Sequence, residues 1–283
     1  GKTVKYGPAE DGYKEFLTTM ADWYDKGLID PNFSTVDRTI QDSNMTTGKG
    51  GSTYAAGGGQ MGPYIQTAQG ENSEYDLVPT TFPTKNPGEK PKYISSYEFT
   101  SNGHAVITTS CRNPEVAMRF LDYTRSEEGH TLYNFGVEGE SFDDINGVPT
   151  YSDLVMNNPD GLTAAQAMSK YCLANVSGPF TQDLEYIQQY YQLPQQKQAL
   201  TNWSDTDEKT SVLPPITFTP EESSEVSRIM TEVETYRDEM TMKIIMGSEP
   251  ASKVDEFQTT IKGMNLDNAI KLYQTALNRY YAR

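Results

Sequence analysis

The glycine-rich run of residues 48–59 is the first segment whose residue types could do chemistry. Glycine tolerates positive φ and lets backbone amides approach a ligand closely, as phosphate-binding loops do. The spacing of a phosphate-binding loop is absent, and Thr53 stands where a dinucleotide-binding fingerprint needs its third glycine. Two interpretations remain: a flexible turn with close backbone packing, which we favour, and a loop whose amides contact sugar hydroxyls.

Residues for nucleophilic or metal-assisted catalysis lack the partners that such chemistry needs. There is no Gly-x-Ser-x-Gly turn, and neither His104 nor His130 has an evident Ser and Asp partner. The two cysteines, Cys111 and Cys172, are far apart in the sequence, and so are the two histidines. Neither the cysteine pair nor the histidine pair therefore has the spacing of a metal site. We predict no catalytic residue, no metal and no cofactor, and we favour free buried thiols, although a disulfide stays open. A glycosidase needs only two carboxylates, and the 39 acidic residues leave that chemistry open.

Carboxylates and aromatic rings could instead bind a polar ligand without transforming it. Sugar rings offer apolar C–H faces to aromatic side chains, and their hydroxyls need hydrogen-bonding partners. Glu138 and Glu140 could bridge ligand hydroxyls, but a solvated turn is the favoured interpretation. Helical spacing favours a core position for Trp23, whereas loop positions favour exposure of Tyr54, Tyr64 and Tyr97. The further aromatic candidates are Tyr24, Trp203 and Tyr236.

The net charge of −16 and the pI near 4.5 argue against a nucleic-acid or anionic-membrane partner. Both kinds of partner carry negative charge and require a basic face on the protein. No run of 18 apolar residues is present, and residues 1–5 are neither a signal peptide nor a lipid-anchoring segment. We therefore expect either an intracellular protein or a chain that begins after an exported end.

The elements that must position these residues follow from hydrophobic spacing and from Gly and Pro. Apolar residues three and four apart predict helices, and short β-rich runs predict strands. The predicted helices begin near Pro8, Asn113, Ser126, Thr181, Thr219, Val254 and Leu266, and the one at Thr219 opens with a capping box. The predicted strands are 75–82, 93–99 and 105–108, and residues 137–180 are predicted irregular, with turns at Asn146-Gly147 and Asp160-Gly161. The predicted fold class is helix-rich α/β.

A set of short stretches, in a fixed order, extends over nearly the whole chain. They are 13–17, 23–31, 113–115, 120–123, 126–129, 136–140, 213–215, 218–222 and 278–283. In this order and spacing they resemble extracellular solute-binding proteins of family 1, in the long lipoprotein branch of Gram-positive bacteria. The resemblance implies a type 2 periplasmic-binding-protein-like fold, of which this chain is mainly the carboxy-terminal lobe.

The same resemblance implies a function without bond chemistry. It implies the substrate-binding component of an ABC importer, which captures an oligosaccharide-like ligand in a cleft between two lobes and delivers it to a membrane permease. It also implies a monomer at the extracellular surface, anchored by an amino-terminal lipid-modified Cys that this chain lacks. The alternatives are a lobe of a carbohydrate-active enzyme and a surface sensor or adhesion module with the same fold.

The resemblance further implies a domain plan and a set of ligand contacts. Residues 1–283 form a single truncated unit, in which 1–96 and 137–283 are the carboxy-terminal lobe and 97–136 cross to a missing amino-terminal lobe. The implied ligand-binding residues are Tyr54, Tyr64, Ser96, Tyr97, Glu98, Glu232 and Tyr236. Relatives often carry Trp in the first contact loop where this chain has Tyr, so the ligand's identity stays open.

Overall fold

The computed structural model describes residues 3–93, 103–176, 178–207 and 212–282. Its α-helices are α1 Gly12–Asp25, α2 Arg38–Thr46, α3 Gly62–Gln69, α4 Pro114–Tyr123, α5 Glu127–Phe135, α6 Asp153–Met156, α7 Ala164–Tyr171, α8 Glu185–Tyr190, α9 Pro194–Ser204, α10 Pro220–Ile245, α11 Val254–Gly263 and α12 Leu266–Tyr281. A π-helical turn, Gly57–Met61, leads directly into α3. The strands β1 Phe142–Ile145 and β2 Val148–Tyr151 form an antiparallel pair. In the described ranges, no helix is both long and apolar enough to cross a membrane.

The chain divides into two compact units, which we call the terminal unit and the central unit. The terminal unit comprises Gly1–Gln41 and Lys209–Arg283, and the central unit comprises Asp42–Glu208. These bounds differ from those of the predicted lobes. The assignment of residues 1–96 and 137–283 to one lobe and 97–136 to a crossing segment stays a prediction.

Helix α10 is the longest element of the terminal unit, and its ends follow the sequence signals. The Thr219 hydroxyl accepts a hydrogen bond from the Glu222 amide, and the Glu222 carboxylate accepts one from the Thr219 amide, so the predicted capping box is confirmed. Gly247, at φ +76°, follows the end of the helix in the left-handed conformation that glycine tolerates. The core around α10 contains Leu17, Ile229, Val233, Ile244, Val254, Phe257, Ile261 and Leu266.

Helix α1 contributes a narrower apolar face to that core than its sequence predicts. Leu17 is buried, and Tyr13 and Met20 pack against the core. Trp23 is 46% exposed and Phe16 is 47% exposed, so the predicted core position of Trp23 is wrong. The physical reason is that one side of a 14-residue helix faces the core, and the flanking aromatic residues fall at its solvent edges.

The central unit contains a hairpin in the region predicted to be irregular, and that part of the prediction is wrong. Phe142 pairs with Tyr151, and Ile145 pairs with Val148. Asn146 and Gly147 connect them, with φ values of 59° and 84°, which is the two-residue turn that matches the twist of paired strands. The turn itself was predicted. The strands were missed because each has only four residues and one of them contains a proline.

The predicted strand at residues 75–82 is also wrong. In the described residues, its Pro79 and Thr80 carbonyl groups accept hydrogen bonds from helix α9, and its Tyr75 carbonyl accepts one from Gln69 of α3. Asn202 Nδ2 donates to Pro79 O at 2.6 Å, and Trp203 Nε1 donates to Thr80 O at 3.0 Å. Side-chain donors therefore satisfy these three carbonyl groups, where a strand would use its neighbour.

The helix predicted at Asn113 is present as α4. Its spacing predicts an inner stripe of Ala117, Phe120, Leu121 and Thr124. Ala117 and Leu121 are partly buried and Thr124, just after the helix, is buried, whereas Phe120 is 63% exposed, so its predicted inward position is wrong. Both thiols are free: Cys172 is buried, and Cys111 is only partly buried. Burial raises the pKa of the Cys172 thiol, which disfavours a reactive thiolate.

Candidate functional site

Three aromatic side chains of the central unit meet at its surface, and we call Tyr54, Phe82 and Tyr93 the aromatic cluster. The Phe82 and Tyr93 rings stack with centroids 4.2 Å apart and planes inclined by 29°. The Tyr54 ring meets Tyr93 edge-on at 6.3 Å, and Tyr93 Oη donates a hydrogen bond to Tyr54 Oη at 3.0 Å. Tyr54 is 72% exposed and Tyr93 is 40% exposed. The cluster therefore offers apolar ring surface and phenol hydroxyls side by side to a ligand.

The loop that carries Tyr93 is tied to the end of helix α9. Lys90 and Asp205 form an ion pair, and the Asp207 amide donates a hydrogen bond to Pro91 O at 2.7 Å. At the start of the same loop, Gln195 Nε2 donates to Asp76 Oδ1 at 2.6 Å. These contacts fix the backbone on either side of Phe82 and just before Tyr93, so the two rings are held near Tyr54.

Tyr54 lies within the glycine-rich run, three and four residues before Gly57 and Gly58, whose conformation depends on close packing. A Cβ atom on Gly58 would lie 2.3 Å from the Tyr190 ring, and one on Gly57 would lie 2.8 Å from the Tyr191 hydroxyl. Gln196 Nε2 donates to the Gly57 carbonyl at 2.9 Å. The glycines are thus needed here because the side chains of Tyr190 and Tyr191 approach their backbone, which agrees with the favoured interpretation of close backbone packing.

The Tyr93 phenol of the aromatic cluster is neutral at physiological pH. The hydrogen bond to Tyr54 is the largest cause that raises the pKa of Tyr93 above its ordinary value, followed by partial burial. A neutral phenol both donates and accepts hydrogen bonds. The cluster is therefore suited to an uncharged, hydroxyl-rich ligand with an apolar face.

Tyr64 occupies a different environment from the one predicted. It lies in α3 and is only 3% exposed, so the expected exposure of its ring is wrong. Its hydroxyl donates to Asp42 Oδ1 at 2.6 Å and accepts from Gln60 Nε2 at 3.0 Å. The glycine turn leads straight into α3, and that continuity carries Tyr64 into the interior. Its role in ligand binding stays a prediction.

The two predicted contacts on α10 differ in exposure. Glu232 is exposed, whereas Tyr236 is half-buried and stacks on Phe257 with ring centroids 5.7 Å apart. Two residues before Tyr236, Glu234 accepts a hydrogen bond from the Tyr6 hydroxyl at 3.0 Å, and burial together with this carboxylate raises the pKa of Tyr6 well above its ordinary range. Tyr236 therefore serves the core at least in part, and its role as a ligand contact stays a prediction.

The predicted contacts Ser96, Tyr97 and Glu98 lie outside the described residues. Glu138 and Glu140 are exposed at the turn before β1, as a solvated turn requires.

His130 has a partner that the sequence did not reveal. Its Nε2 lies 3.0 Å from Asp183 Oδ2, and its Nδ1 lies 3.4 Å from Asn134 Nδ2. Asn134 also donates to Thr181 O at 2.9 Å and accepts from the Asp183 amide at 2.8 Å. Both ring nitrogens thus face structural partners, which leaves neither for activating a serine. In the described part of the chain, no three His, Cys, Asp or Glu residues are grouped as a metal site would need.

Sequence reasoning missed Phe82 and Tyr93 as partners of Tyr54. Phe82 was placed at the end of a strand and Tyr93 at the start of another, and 39 residues separate Tyr54 from Tyr93. The available signal was the density of Pro, Gly and Lys between Phe82 and Tyr93, which marks a loop able to bring its two ends together.

Comparison with known proteins gives a consistent but partial likeness. No family model matches the chain. Lipoprotein LipO of Bacillus subtilis is 24% identical over 168 residues, which cover 57% of this chain and 32% of LipO. The chain thus spans about a third of the length of this curated relative.

Solved structures match almost the whole chain. The alginate-binding protein AlgQ2 matches with a TM-score of 0.77 and 24% identity, over 98% of this chain and 56% of AlgQ2. The Streptococcus pneumoniae ABC-transporter substrate-binding protein FusA, in complex with kestose, matches with a TM-score of 0.66 and 18% identity, over 99% of this chain and 56% of FusA. A solute-binding protein from Bifidobacterium longum infantis that binds HMO matches with a TM-score of 0.66 and 14% identity. The chain therefore has the helix-rich α/β fold of ABC-transporter solute-binding proteins, over about half of their length.

Proposed function

We propose that this chain is part of a carbohydrate-binding solute-binding protein of an ABC importer, and that it binds its ligand without catalysis. The observation that carries the proposal is the aromatic cluster of Tyr54, Phe82 and Tyr93, which exposes rings and hydroxyls together. Large exposed aromatic surfaces are uncommon on soluble proteins unless a ligand or partner uses them. The fold supports the proposal, because AlgQ2 and FusA are named as binders of alginate and kestose.

The ligand chemistry follows from the geometry of the cluster. A sugar ring can lie against the Tyr54 face, and the Tyr54–Tyr93 hydroxyl pair can exchange hydrogen bonds with the ring substituents. Because the stacked Phe82 ring supports Tyr93 from behind, the site is organised before the ligand arrives. An oligosaccharide that covers more than one ring suits this arrangement better than a single charged metabolite.

The remaining predicted contacts are retained as proposals. They are Ser96, Tyr97 and Glu98 near the cluster in sequence, Glu232 and Tyr236 on α10, and an indirect contribution from buried Tyr64. The membrane permease partner, the extracellular location, the lipid anchor and the monomeric state are also proposals. The fold supports the first two, and the name of the relative LipO is consistent with the anchor.

A glycan screen on the full gene product tests the proposal. Binding to the folded state alone raises the melting temperature, by an amount that grows with ligand concentration. The screen should contain alginate oligosaccharides, kestose, fructo-nystose and human milk oligosaccharides, which separate acidic from neutral ligands. At least one should raise the melting temperature, and a flat response to all of them would contradict the proposal.

The matched variants are Tyr54→Ala and Tyr281→Ala. Tyr281 is 51% exposed and lies at the end of α12, away from the aromatic cluster in sequence and in the other unit. Loss of one stacking ring should weaken the glycan affinity by about 2- to 13-fold, from roughly 0.5–1.5 kcal/mol per aromatic contact. The Tyr281→Ala variant should bind as the unchanged protein does.

A further inference from the structure

The segment of residues 76–93, which we call the strap, carries two of the three rings of the aromatic cluster. Its first half lies along helix α9, because side chains near the end of that helix donate hydrogen bonds to the carbonyl groups of Pro79 and Thr80. Phe82 follows Thr80 by two residues. Uncharged hydrogen bonds to α9 therefore set the position of the Phe82 ring.

The middle of the strap forms a turn that is closed by its own side chains. The Glu89 carboxylate accepts hydrogen bonds from the backbone amide of Asn86 at 3.3 Å and from Asn86 Nδ2 at 2.6 Å. Gly88 lies at φ +83°, in the left-handed region that glycine tolerates. These two hydrogen bonds lie within the strap, so they shape the turn without attaching it to α9.

Two contacts attach the strap to the end of α9 just before Tyr93. Lys90 and Asp205 form an ion pair in which both side chains are exposed. The Asp207 amide donates a hydrogen bond to Pro91 O at 2.7 Å. Tyr93 is two residues beyond Pro91, which is at most about 7 Å of extended chain. The position of the Tyr93 ring therefore depends on these two contacts.

The charges at the end of α9 favour a cation at position 90. Asp205 is the C-cap residue, and the last turn of α9 contains no basic residue. The carboxyl end of a helix is the negative end of its dipole, so an unpaired carboxylate is unfavourable there. Lys90 supplies a cation, and its hydrogen bond to Asp205 is the largest cause that raises the pKa of Lys90 above its ordinary value. Lys90 is therefore charged at physiological pH, and the attachment is partly electrostatic.

We propose that the Lys90–Asp205 ion pair positions Tyr93 for the ligand, so that the affinity for an uncharged glycan falls as the ionic strength rises. The inference rests on the proposed function of the aromatic cluster. Salt weakens exposed ion pairs, and a ligand that needs an attached strap binds less tightly when a fraction of the molecules has a detached one. An uncharged ligand has no ionic contact of its own for salt to screen. A salt dependence of its affinity therefore reports on the protein.

A direct contact between Lys90 and the ligand is the alternative, but the contacts favour positioning. The Lys90 ammonium is paired with Asp205, and the neighbouring Pro91 carbonyl is bonded to the same end of α9. Two adjacent residues of the strap thus have partners on one structural element, as a positioning contact requires. In a direct contact, Lys90 would affect binding and Asp205 would not.

Calorimetric titration of the full gene product with kestose, or with another uncharged glycan that raises its melting temperature, tests the proposal. Ionic strengths of about 0.01 M and 1 M give Debye lengths of about 30 Å and 3 Å. The affinity should be about 1.4- to 5-fold lower at the higher salt, which corresponds to the coupling of an exposed ion pair. Lys90→Met should bind at low salt as weakly as the unchanged protein does at high salt, and it should show no such decrease. Lys26→Met, which breaks the exposed Lys26–Asp22 pair of the terminal unit, should keep the decrease.

Variants of both partners separate positioning from a direct ligand contact. Asp205→Asn should weaken binding as much as Lys90→Met does, and the double variant should be no weaker than either alone. Exchange of the two charges, as Lys90→Asp with Asp205→Lys, should restore the affinity and its salt dependence. An affinity that falls in Lys90→Met but not in Asp205→Asn would show a direct contact and would overturn the proposal. An equal salt dependence in the unchanged protein and in Lys90→Met would also overturn it.

Hydrogen–deuterium exchange without glycan tests the attachment separately from the proposed function. At low salt, the Asp207 amide should exchange about 1.4- to 5-fold faster in Lys90→Met than in the unchanged protein, because its hydrogen bond to Pro91 O opens more often. Faster exchange together with a flat glycan screen would contradict the proposed function but support the attachment of the strap by this ion pair. Unchanged exchange would overturn the inference whether or not a glycan binds.

Discussion

Replacing Tyr64 by Phe removes one hydroxyl from the interior of the central unit and little else. That hydroxyl accepts a hydrogen bond from Gln60 Nε2 at 3.0 Å and donates one to Asp42 Oδ1 at 2.6 Å. Gln60 is itself buried, and its Oε1 accepts from the Ala56 amide at 3.1 Å at the start of the glycine turn. The substitution therefore leaves a buried amide donor without its phenol partner.

The expected cost follows from burial. Water can replace the phenol at Asp42, which is partly exposed, whereas Gln60 is only 8% exposed. Leaving a buried donor unpaired costs about 1–3 kcal/mol of unfolding free energy. At about 2–4 °C per kcal/mol, the melting temperature should fall by roughly 2–12 °C.

Tyr54→Phe is the matched control, since it removes the same atom from a residue that is 72% exposed. Water can take the place of the Tyr54 hydroxyl beside Tyr93, so this change should cost less than about 0.5 kcal/mol. Thermal unfolding followed by circular dichroism measures both variants. Equal shifts for the two, or a larger shift for Tyr54→Phe, would refute the assignment of Tyr64 to the interior and Tyr54 to the surface.

Three further outcomes are expected in the terminal unit. Ile261→Ala leaves a cavity at a fully buried position and should lower the free energy of unfolding, measured in urea, by about 2–5 kcal/mol. The control Ile40→Ala, at a residue 45% exposed, should lower it by less than about 0.5 kcal/mol. Similar urea midpoints for the two variants would contradict the packing of α11. Thr219→Ala removes the acceptor at the start of α10 and should cost about 1 kcal/mol by the same assay, so an unchanged midpoint would contradict the capping box. Hydrogen bonds from Arg279, and secondly from the Thr219 backbone, lower the pKa of Glu222. The ionised carboxylate therefore stabilises the fold at a pH above its pKa in the unfolded chain. That stability is lost as the pH falls through the pKa of the folded protein. Melting temperatures from pH 7 to 3 should thus fall more steeply for the unchanged protein than for Glu222→Gln, and parallel curves would contradict this linkage.

Helix positions were predicted well from caps, glycine stops and apolar spacing, because each of these acts on backbone groups or side chains only a few residues away. Helix α10 begins after the capping box at Thr219 and ends before Gly247, as predicted, because both signals satisfy backbone groups within a few residues. Periodicity identified α1 and α4 as helices, but it did not establish which side faces a core. Trp23 and Phe120 are both exposed, although each belongs to a helix with apolar residues at helical spacing.

The candidate site was only partly predictable, because it depends on contacts between distant parts of the chain. Tyr54 was identified as an exposed aromatic residue from its place in a loop. Its partners Phe82 and Tyr93 reach it through a loop held by Lys90 and the end of α9. The Pro, Gly and Lys residues mark that loop, but they do not encode its contact with Tyr54. The prediction for Tyr64 was wrong for a local reason, because a glycine-rich context favours a loop and the structure forms helix α3 there.

Hydroxyl-radical footprinting with mass spectrometry is the most direct test of the aromatic cluster as the ligand site. It should be performed on the full gene product, with and without a glycan that raises its melting temperature. Oxidation of Tyr54, Phe82 and Tyr93 should fall several-fold at saturating glycan, while oxidation of exposed Tyr281 stays constant. Unchanged oxidation of all three cluster residues at saturation would contradict the account, because the ligand would then bind elsewhere.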